Sequence, residues 1–396
     1  MKLAENPFAA GKPVAARPAF VGRRAVVQTL VELLQAREHG LITISGPPGI
    51  GKTSFLRALR DELPEHGTYQ AVYIDLSKRA KWPLAAAVRG VASTIARALG
   101  LGKPLLPGPS ELVFRDTWLP ATLGNLFSGG MGATLVLLID NYKRPSDPQH
   151  AEHIRAFASY LKQLIASTPR LLAVTTSDMF EPVNDPRAEL LGTHILSLPP
   201  LDAEEAYSLI RTSHNAGTLR WKPRAAATVW ALTRGHPGLG QRLCSEVWEE
   251  LHYYDPAATH NATDADVTAA VEKAIAASRP MITALWSTLP PLARVFLAAL
   301  AEQQAPSGGI LLKDLYQQLK ESGARQLDDQ LDGLPKALAE WGILELLPGA
   351  GFRLRFPLLS RVIARHYPLE RVRAELDHAE PEAETHYRAA LNLTHD

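Results

Sequence analysis

The sequence predicts an α/β fold in which helices cover both faces of a parallel sheet, followed by two smaller domains. Five short apolar runs have the length and composition of buried strands: LITIS at 41, YQAVYIDL at 69, TLVLLID at 134, RLLAVTTS at 170 and THILSL at 193. Segments with apolar residues at helical spacing, such as KTSFLRALRDEL, separate most of these runs. Strands that alternate with helices pair in parallel, and continuous apolar runs indicate strands that are covered on both faces.

Length and composition limit the classes of protein that fit. The chain has 396 residues, which is too long for one ordinary core and favours two or three domains. Lys and Arg number 42 against 41 Asp and Glu, so the net charge of +1 gives no overall attraction to nucleic acid or membrane. The single cysteine, Cys244, excludes an internal disulfide and is typical of a reducing compartment. Since no leader pattern opens the chain and no apolar run approaches the ~20 residues of a membrane span, we expect a cytoplasmic protein.

Composition changes along the chain predict its domains. Strand patterns stop after Pro200, where four amphipathic helix patterns begin. From about Ser278, three further helix patterns lead into ILELLPGAGFRLRF, which predicts a hairpin turning at 348–351 and, with the helices, a winged helix. The predicted segments are an extended lead-in at 1–19, the sheet domain at 20–200, a helical domain at 201–277, the winged helix at 278–370 and a helical tail at 371–396.

The stretch GPPGIGKT at 46–53 predicts a nucleotide site. It follows the first strand, opens a helix and satisfies the phosphate-loop pattern G-x-x-x-x-G-K-[ST]. Glycines let backbone N–H groups surround phosphate oxygens, and the helix N-terminus attracts the same negative charge. We expect Lys52 to contact the β- and γ-phosphates and the Thr53 hydroxyl to bind Mg²⁺. The residues predicted to hold ATP or ADP here are Pro48, Gly49, Ile50, Gly51, Lys52, Thr53 and Ser54.

Two later strand ends carry polar residues that suit the same site. Asp140 ends TLVLLID, and the carboxyl ends of parallel strands are where such sheets bind ligands, so we expect Asp140 to hold Mg²⁺ through its water shell. Asn141 follows it, and an amide cannot accept a proton, so either hydrolysis is slow or another carboxylate serves as the base. In VTTS, Thr175, Thr176 or Ser177 is suited to hydrogen-bond the γ-phosphate or the attacking water, and Thr176 is our candidate.

Together these motifs resemble AAA+ ATPases of the origin-recognition and STAND (NB-ARC-like) branch, over about residues 6–370. LVLLIDN is similar to the Walker B strand of this family, but Asn141 stands where many members have a glutamate that polarises water. NPF and FVGRR resemble the adenine-side motif of this branch. The resemblance implies that four residues line the base or turn the chain beside it: Phe8, Phe20, Val21 and Arg23.

The resemblance extends into the helical domain. RGHPGLGQRL looks like the motif of a helical lid, which implies that Pro237 packs against the adenine and that Arg242 reaches toward phosphate. LAVTTSD resembles the sensor strand, with Ser177 where NB-ARC members have an arginine. Arg187, in NDPRAELLG, lies where an arginine finger often faces the γ-phosphate of a neighbouring subunit; the alternative is a solvated arginine beside a proline.

The predicted winged helix raises the question of DNA binding. Its third helix, QLDDQLDGLPKALAEWG, has Lys336 as its only basic residue. The acidic residues of this helix are Asp328, Asp329, Asp332 and Glu340. Because DNA phosphates would repel an acidic reading helix, we expect a structural winged helix, while Arg353 and Arg355 on the ribbon keep the DNA alternative open.

The sequence thus predicts an ATP-binding regulatory switch that hydrolyses Mg²⁺-ATP slowly if at all. Loss of the γ-phosphate would reorient the lid and the winged helix, and this change or self-association would control a partner, for instance in defence signalling. A homo-oligomer or a partner protein would supply the sensor or effector, and no membrane is involved. Two alternatives stay open: a DNA-handling AAA+ ATPase of the initiator or transposition-regulator type, and a non-hydrolysing scaffold that is held together by its nucleotide.

Overall fold

The computed structural model of the chain divides into two compact units. The sheet unit comprises Ala9–Thr212, and the helical unit comprises Met1–Phe8 with Ser213–Asp396. The structure describes residues 4–14, 19–36, 40–77, 82–100, 115, 119–125, 132–141, 148–180, 192, 194–303, 310–311, 317, 333–347 and 351–375. None of the helices in these ranges is long and apolar enough to cross a membrane.

A parallel sheet forms the centre of the sheet unit and confirms the predicted α/β class. Within the described ranges it has five strands, in the order β2-β3-β4-β1-β5, and all neighbours run parallel. This order brings the carboxyl ends of β2, β3, β4 and β1 to one edge. The strands are β1 (Leu41–Ser45), β2 (Tyr69–Asp75), β3 (Thr134–Asp140), β4 (Leu171–Ser177) and β5 (His194–Ser197).

Helices cover both faces of this sheet because alternate residues of each strand enter two separate cores. In β3, Leu135, Leu137 and Ile139 pack into one core, and Val136 and Leu138 pack into the other. The first core also contains side chains of α3, α4 and α5, and the second contains side chains of α1 and α2. The helices of this part are α1 (Arg24–Ala36), α2 (Lys52–Glu62), α3 (Leu84–Ala98), α4 (Leu119–Asn125), α5 (Pro148–Ser167) and α6 (Ala203–Ile210). The next helix, α7 (Thr212–Asn215), starts at the last residue of the sheet unit and continues in the helical unit.

The helical unit contains helices and short strands. Of the four helix patterns predicted after Pro200, the first corresponds to α6 in the sheet unit and the other three correspond to helices of the helical unit. Of the three further helix patterns, the second lies almost entirely outside the described residues. The helices of this unit are α8 (Pro223–Thr233), α9 (Pro237–His252), α10 (Asp264–Thr288), α11 (Pro291–Gln303), α12 (Leu334–Glu340) and α13 (Pro357–His366). β6 (Leu219–Trp221) pairs in parallel with β7 (His260–Ala262), and three residues are too few to show a strand period. The predicted domain border at 277/278 falls inside α10, which continues through Pro280 to its end.

The predicted hairpin is present as two antiparallel strands. β9 (Leu344–Leu347) pairs with β10 (Gly351–Leu354), and β8 (Ile310–Leu311) pairs with the other side of β10. Of the predicted third helix, residues 334–340 form α12, whereas Asp328, Asp329 and Asp332 lie outside the described residues. The winged-helix assignment and the predicted domain borders therefore stay predictions.

Candidate functional site

The glycine-rich turn at 46–53 connects β1 to α2 and has the backbone geometry that its sequence predicts. Gly49 has a φ of +83° and Gly51 a φ of +102°, in the left-handed region that glycine adopts without steric cost. Gly51 is the N-cap of α2, so no side chain caps the helix. A helix N-terminus of this kind attracts negative charge and suits phosphate.

Core packing and hydrogen bonds both hold the loop and the start of α2 in place. Ile50 is only 1% exposed and anchors the loop in the core under α1 and α2. The Lys52 ammonium donates hydrogen bonds to the carbonyl oxygens of Gly46 at 2.5 Å and of Pro47 at 3.1 Å. The Ser54 hydroxyl accepts a hydrogen bond from the Val14 amide at 3.1 Å, which ties the lead-in to the loop. Lys52 therefore lies within the loop where it would meet phosphate.

Asp140 is a buried carboxylate at the carboxyl edge of the sheet. It is 2% exposed, its Oδ2 accepts a hydrogen bond from the Tyr73 hydroxyl at 2.6 Å, and its Oδ1 accepts one from the Thr176 hydroxyl at 2.9 Å. Burial and the bond to Asp140 both raise the pKa of Tyr73, so its hydroxyl stays protonated. Thr175 faces the opposite side of β4, where its hydroxyl lies 3.0 Å from that of Thr43.

This environment fits a hydrated Mg²⁺. Each oxygen of Asp140 accepts one hydrogen bond from the described residues and keeps a further acceptor site for a metal-bound water. In the part of the chain that the structure describes, no group of three or more His, Cys, Asp or Glu side chains could hold a metal by itself. Mg²⁺ usually takes one or two protein ligands and completes its shell with water and phosphate.

Asn141 lies beside a second carboxylate, that of Asp75. Its Nδ2 donates a hydrogen bond to Asp75 Oδ1 at 3.2 Å, and its φ of +57° is left-handed. Burial raises the pKa of Asp75, but hydrogen bonds from Ser77 and from Asn141 outweigh burial and hold the pKa below its usual value. Asp75 was not among the predicted site residues, although it ends strand β2 just as Asp140 ends β3.

Arg23 connects the loop to α6. It is 4% exposed, its Nη2 donates to the Ile50 carbonyl oxygen at 3.0 Å, and its backbone N–H donates to Glu205 Oε1 at 2.6 Å. Burial lowers the pKa of Arg23 to about 10, and Glu205 partly offsets this effect. Glu205 also accepts from the Asp202 amide at 3.1 Å in the capping box of α6. The sequence interpretation missed Glu205, because only the fold brings it to Arg23.

Comparison with known proteins agrees with this geometry. Residues 19–211 match the family model of the AAA ATPase domain. This part of the chain is an AAA ATPase domain. The predicted AAA+ resemblance is thereby confirmed, while its STAND branch stays a prediction.

Solved structures of known proteins are similar to this chain. The chain is similar to a Walker-type ATPase of Pyrococcus abyssi, with 17% identity and a TM-score of 0.60, over 89% of this chain and 98% of that one. Cdc6p from Pyrobaculum aerophilum matches with 19% identity and a TM-score of 0.43, over 91% and 97% of the two chains. The Orc1 protein of Aeropyrum pernix in complex with DNA matches with 16% identity and a TM-score of 0.42, over 89% and 94%. No curated protein sequence matches the chain.

The residues predicted on the adenine side of the AAA ATPase domain lie in both units. Phe20 is 7% exposed and packs near Phe55, with ring centroids 6.5 Å apart, and Val21 beside it is half-buried. Phe8 belongs to the helical unit, where its ring meets Trp221 edge-on at 6.3 Å. The predicted contacts of these residues with a base stay predictions.

The residues predicted to act from beyond the sheet lie on α9 or outside the described residues. Pro237 is the first residue of α9, and Arg242 lies further along the same helix. The Arg242 guanidinium donates to the Ala277 carbonyl oxygen, and burial lowers its pKa. Arg187 lies outside the described residues. The structure thus brings together Lys52 with its loop, Asp140 with Thr176, and Arg23 with Ile50, and the lid and finger roles stay predictions.

Proposed function

We propose that this protein is an ATP-binding switch, which holds Mg²⁺-ATP much longer than it hydrolyses it. One observation carries the proposal: the residue after Asp140 in this AAA ATPase domain is Asn141. Its side chain is an amide, and the amide nitrogen donates a hydrogen bond to Asp75. General-base assistance is typically worth ~10²–10⁴-fold in rate, and an amide cannot supply it. Binding groups are therefore present, and position 141 lacks the carboxylate that would serve as a general base.

Residues of the loop, of α2 and of β3 would contact the phosphates and Mg²⁺. Lys52 exchanges its bonds to the loop carbonyls for bonds to phosphate oxygens, and the N–H groups at the start of α2 contact the same phosphates. Thr53 and Asp140 hold Mg²⁺, which neutralises phosphate charge when bound. Arg23 keeps Nη1 buried with no hydrogen-bond partner among the described residues, which suits an acceptor on a bound nucleotide.

The Arg23 contacts also support a conformational response. Its side chain holds the loop at Ile50, and its backbone holds Glu205 at the start of α6. A change in the loop on loss of the γ-phosphate would therefore reach α6, after which the chain continues into the helical unit. We infer that this change, or self-association that brings Arg187 to a neighbouring γ-phosphate, controls a partner protein, for instance in defence signalling.

The ion pairs of the hairpin and of α12 favour this proposal over a DNA-handling ATPase. Arg353 forms an ion pair with Glu345 at 2.8 Å, and Lys336 lies 3.9 Å from Glu340. Groove binding needs basic groups that are available to phosphate. A fluorescence anisotropy titration with duplex DNA at physiological salt is expected to show weak, non-specific binding. Tight, sequence-selective binding would favour the DNA-handling function instead.

The main test compares two rates on dilute monomeric protein. Single-turnover hydrolysis of labelled ATP gives the cleavage rate, and a chase with unlabelled ATP gives the dissociation rate. We expect cleavage to be the slower process and to rise with protein concentration, since a finger in trans contributes ~10³–10⁵-fold. Light scattering in ATP and in ADP then reports any change in association. Cleavage that is faster than dissociation in the dilute monomer would contradict the switch, and absence of ATP binding would contradict the nucleotide site.

A further inference from the structure

The ends of β2 and β3 place two carboxylates and one amide side by side. Asp75 is the register partner of Asp140, and the Leu76 amide continues the ladder by donating to the Asp140 carbonyl oxygen at 2.9 Å. Asn141 follows with a φ of +57°, a conformation that asparagine adopts more readily than most residues. This backbone turn brings the Asn141 amide to the Asp75 carboxylate rather than along the strand.

The polarity of the contact fixes which end of the amide faces Asp75. Hydrogen bonds, including one from the Ser77 amide at 2.9 Å, keep the Asp75 pKa below its usual value, so Asp75 is ionised at neutral pH. An ionised carboxylate can only accept hydrogen bonds, so Asn141 must present Nδ2 to it. The amide oxygen, Oδ1, is then directed away from Asp75. Among the described residues, none donates a hydrogen bond to this oxygen.

We propose that Asp75 is a positioning residue for slow ATP hydrolysis, which fixes the Asn141 amide so that Oδ1 orients the attacking water. This inference rests on the proposed function, because it concerns the residual cleavage of bound ATP. The water oxygen bonds to the γ-phosphorus as the bond from phosphorus to the bridging oxygen of ADP breaks. The proton of the water passes to an oxygen of the released phosphate, since Asn141 accepts a hydrogen bond but no proton.

The same contact predicts how a carboxylate at position 141 would behave. In Asn141→Glu the new carboxylate would face Asp75, and two like charges in contact disfavour each other. In the double variant Asp75→Asn/Asn141→Glu, the amide and the carboxylate exchange places and the hydrogen bond is restored. We therefore expect the double variant to hydrolyse ATP faster than Asn141→Glu alone.

The first experiment is a double-mutant cycle on the full chain. Single-turnover hydrolysis and ATP affinity are measured for wild type, Asp75→Ala, Asn141→Ala and the double alanine variant, with Asp61→Ala on α2 as an exposed carboxylate control. Asp75→Ala should slow cleavage about tenfold or more, as for loss of a hydrogen bond to a charged group, with ATP affinity unchanged. The double alanine variant should be no slower than Asn141→Ala. Equal slowing by Asp75→Ala in both backgrounds, or no slowing at all, would overturn the proposal.

Two further measurements keep the inference separate from the proposed function. Melting temperatures of the same cycle without nucleotide should be non-additive, because positions 75 and 141 share a hydrogen bond; additive values would overturn the contact. If wild type fails to bind ATP while the melting temperatures are non-additive, the proposed function fails and the orientation of Asn141 stands. Finally, Asp75→Asn/Asn141→Glu should cleave ATP at least about tenfold faster than Asn141→Glu, because the double variant regains one hydrogen bond to a charged group. Equal rates would refute the positioning role.

Discussion

Replacing Tyr73 by phenylalanine tests how the buried carboxylate of the site is stabilised. The change removes one hydroxyl, which donates to Asp140 Oδ2 at 2.6 Å, and leaves the ring in place. Asp140 is 2% exposed, and its carboxylate accepts two hydrogen bonds from the described residues. In the variant it keeps only the bond from the Thr176 hydroxyl at its other oxygen. We expect Tyr73→Phe to destabilise the AAA ATPase domain in the absence of nucleotide.

The magnitude follows from the charge and the burial of the two groups. A hydrogen bond to a charged group contributes roughly 1.5–3 kcal/mol, and deleting its donor leaves the acceptor partly unsatisfied. Tyr73 is only half-buried, so water replaces part of the lost bond, and we take the lower part of that range, about 1.5–2 kcal/mol. For a domain of this size, 1 kcal/mol lowers the melting temperature by about 2–4 °C, which gives a decrease of about 3–8 °C.

The assay is thermal and urea unfolding, with and without Mg²⁺-ATP. Tyr207→Phe on α6 is the matched control, because the half-buried Tyr207 hydroxyl has no hydrogen bond to the described residues. Bound Mg²⁺ neutralises part of the charge on Asp140, so the difference between the variants should shrink with Mg²⁺-ATP. If Tyr73→Phe is as stable as Tyr207→Phe, the bond to Asp140 contributes nothing and the reasoning is refuted.

Three other predictions concern the same edge of the sheet. Lys52→Ala should abolish ATP binding in calorimetry and leave the domain folded, with the exposed Lys162→Ala on α5 as control; unchanged ATP affinity would contradict the phosphate-loop assignment. Asp140→Asn should lose the part of ATP affinity that depends on Mg²⁺, and an equal loss without Mg²⁺ would indicate a structural role. The pKa of Tyr73 is raised by burial and by Asp140, so wild type should lose stability as the pH rises above about 10, where an unfolded tyrosine ionises. Tyr73→Phe should lack this loss, and parallel stability curves from pH 8 to 11 would contradict it.

The sheet and the phosphate loop were predictable because their signals are local. A strand that is buried on both faces needs apolar side chains at every position, so TLVLLID marks Thr134–Asp140 without further information. The loop at 46–53 needs glycine where φ is positive and a lysine where the helix begins. All of these residues lie within one short stretch of the sequence. Neither inference depends on which strands are neighbours.

The partners within the site were harder to predict because they depend on strand order and on the face of each strand. Thr175 and Thr176 have the same chemistry, and only the alternation of β4 sends the second of them to Asp140. Glu205 meets Arg23 across 182 positions, which no sequence window spans. Asp75 ends a strand as clearly as Asp140 does, but its contact with Asn141 requires β2 to lie next to β3.

The amide at position 141 and the carboxylate of Asp75 are two parts of one arrangement. Asp75 and Asp140 end neighbouring strands in register, so this edge already carries two carboxylates. A glutamate at position 141 would add a third negative charge in contact with Asp75, whereas asparagine supplies the donor that Asp75 accepts. The amide is thus the residue that the local charges favour, and a carboxylate at this position needs a compensating change at Asp75. Because the same amide cannot take a proton, the stable arrangement of this edge is also the one for which we propose slow ATP hydrolysis.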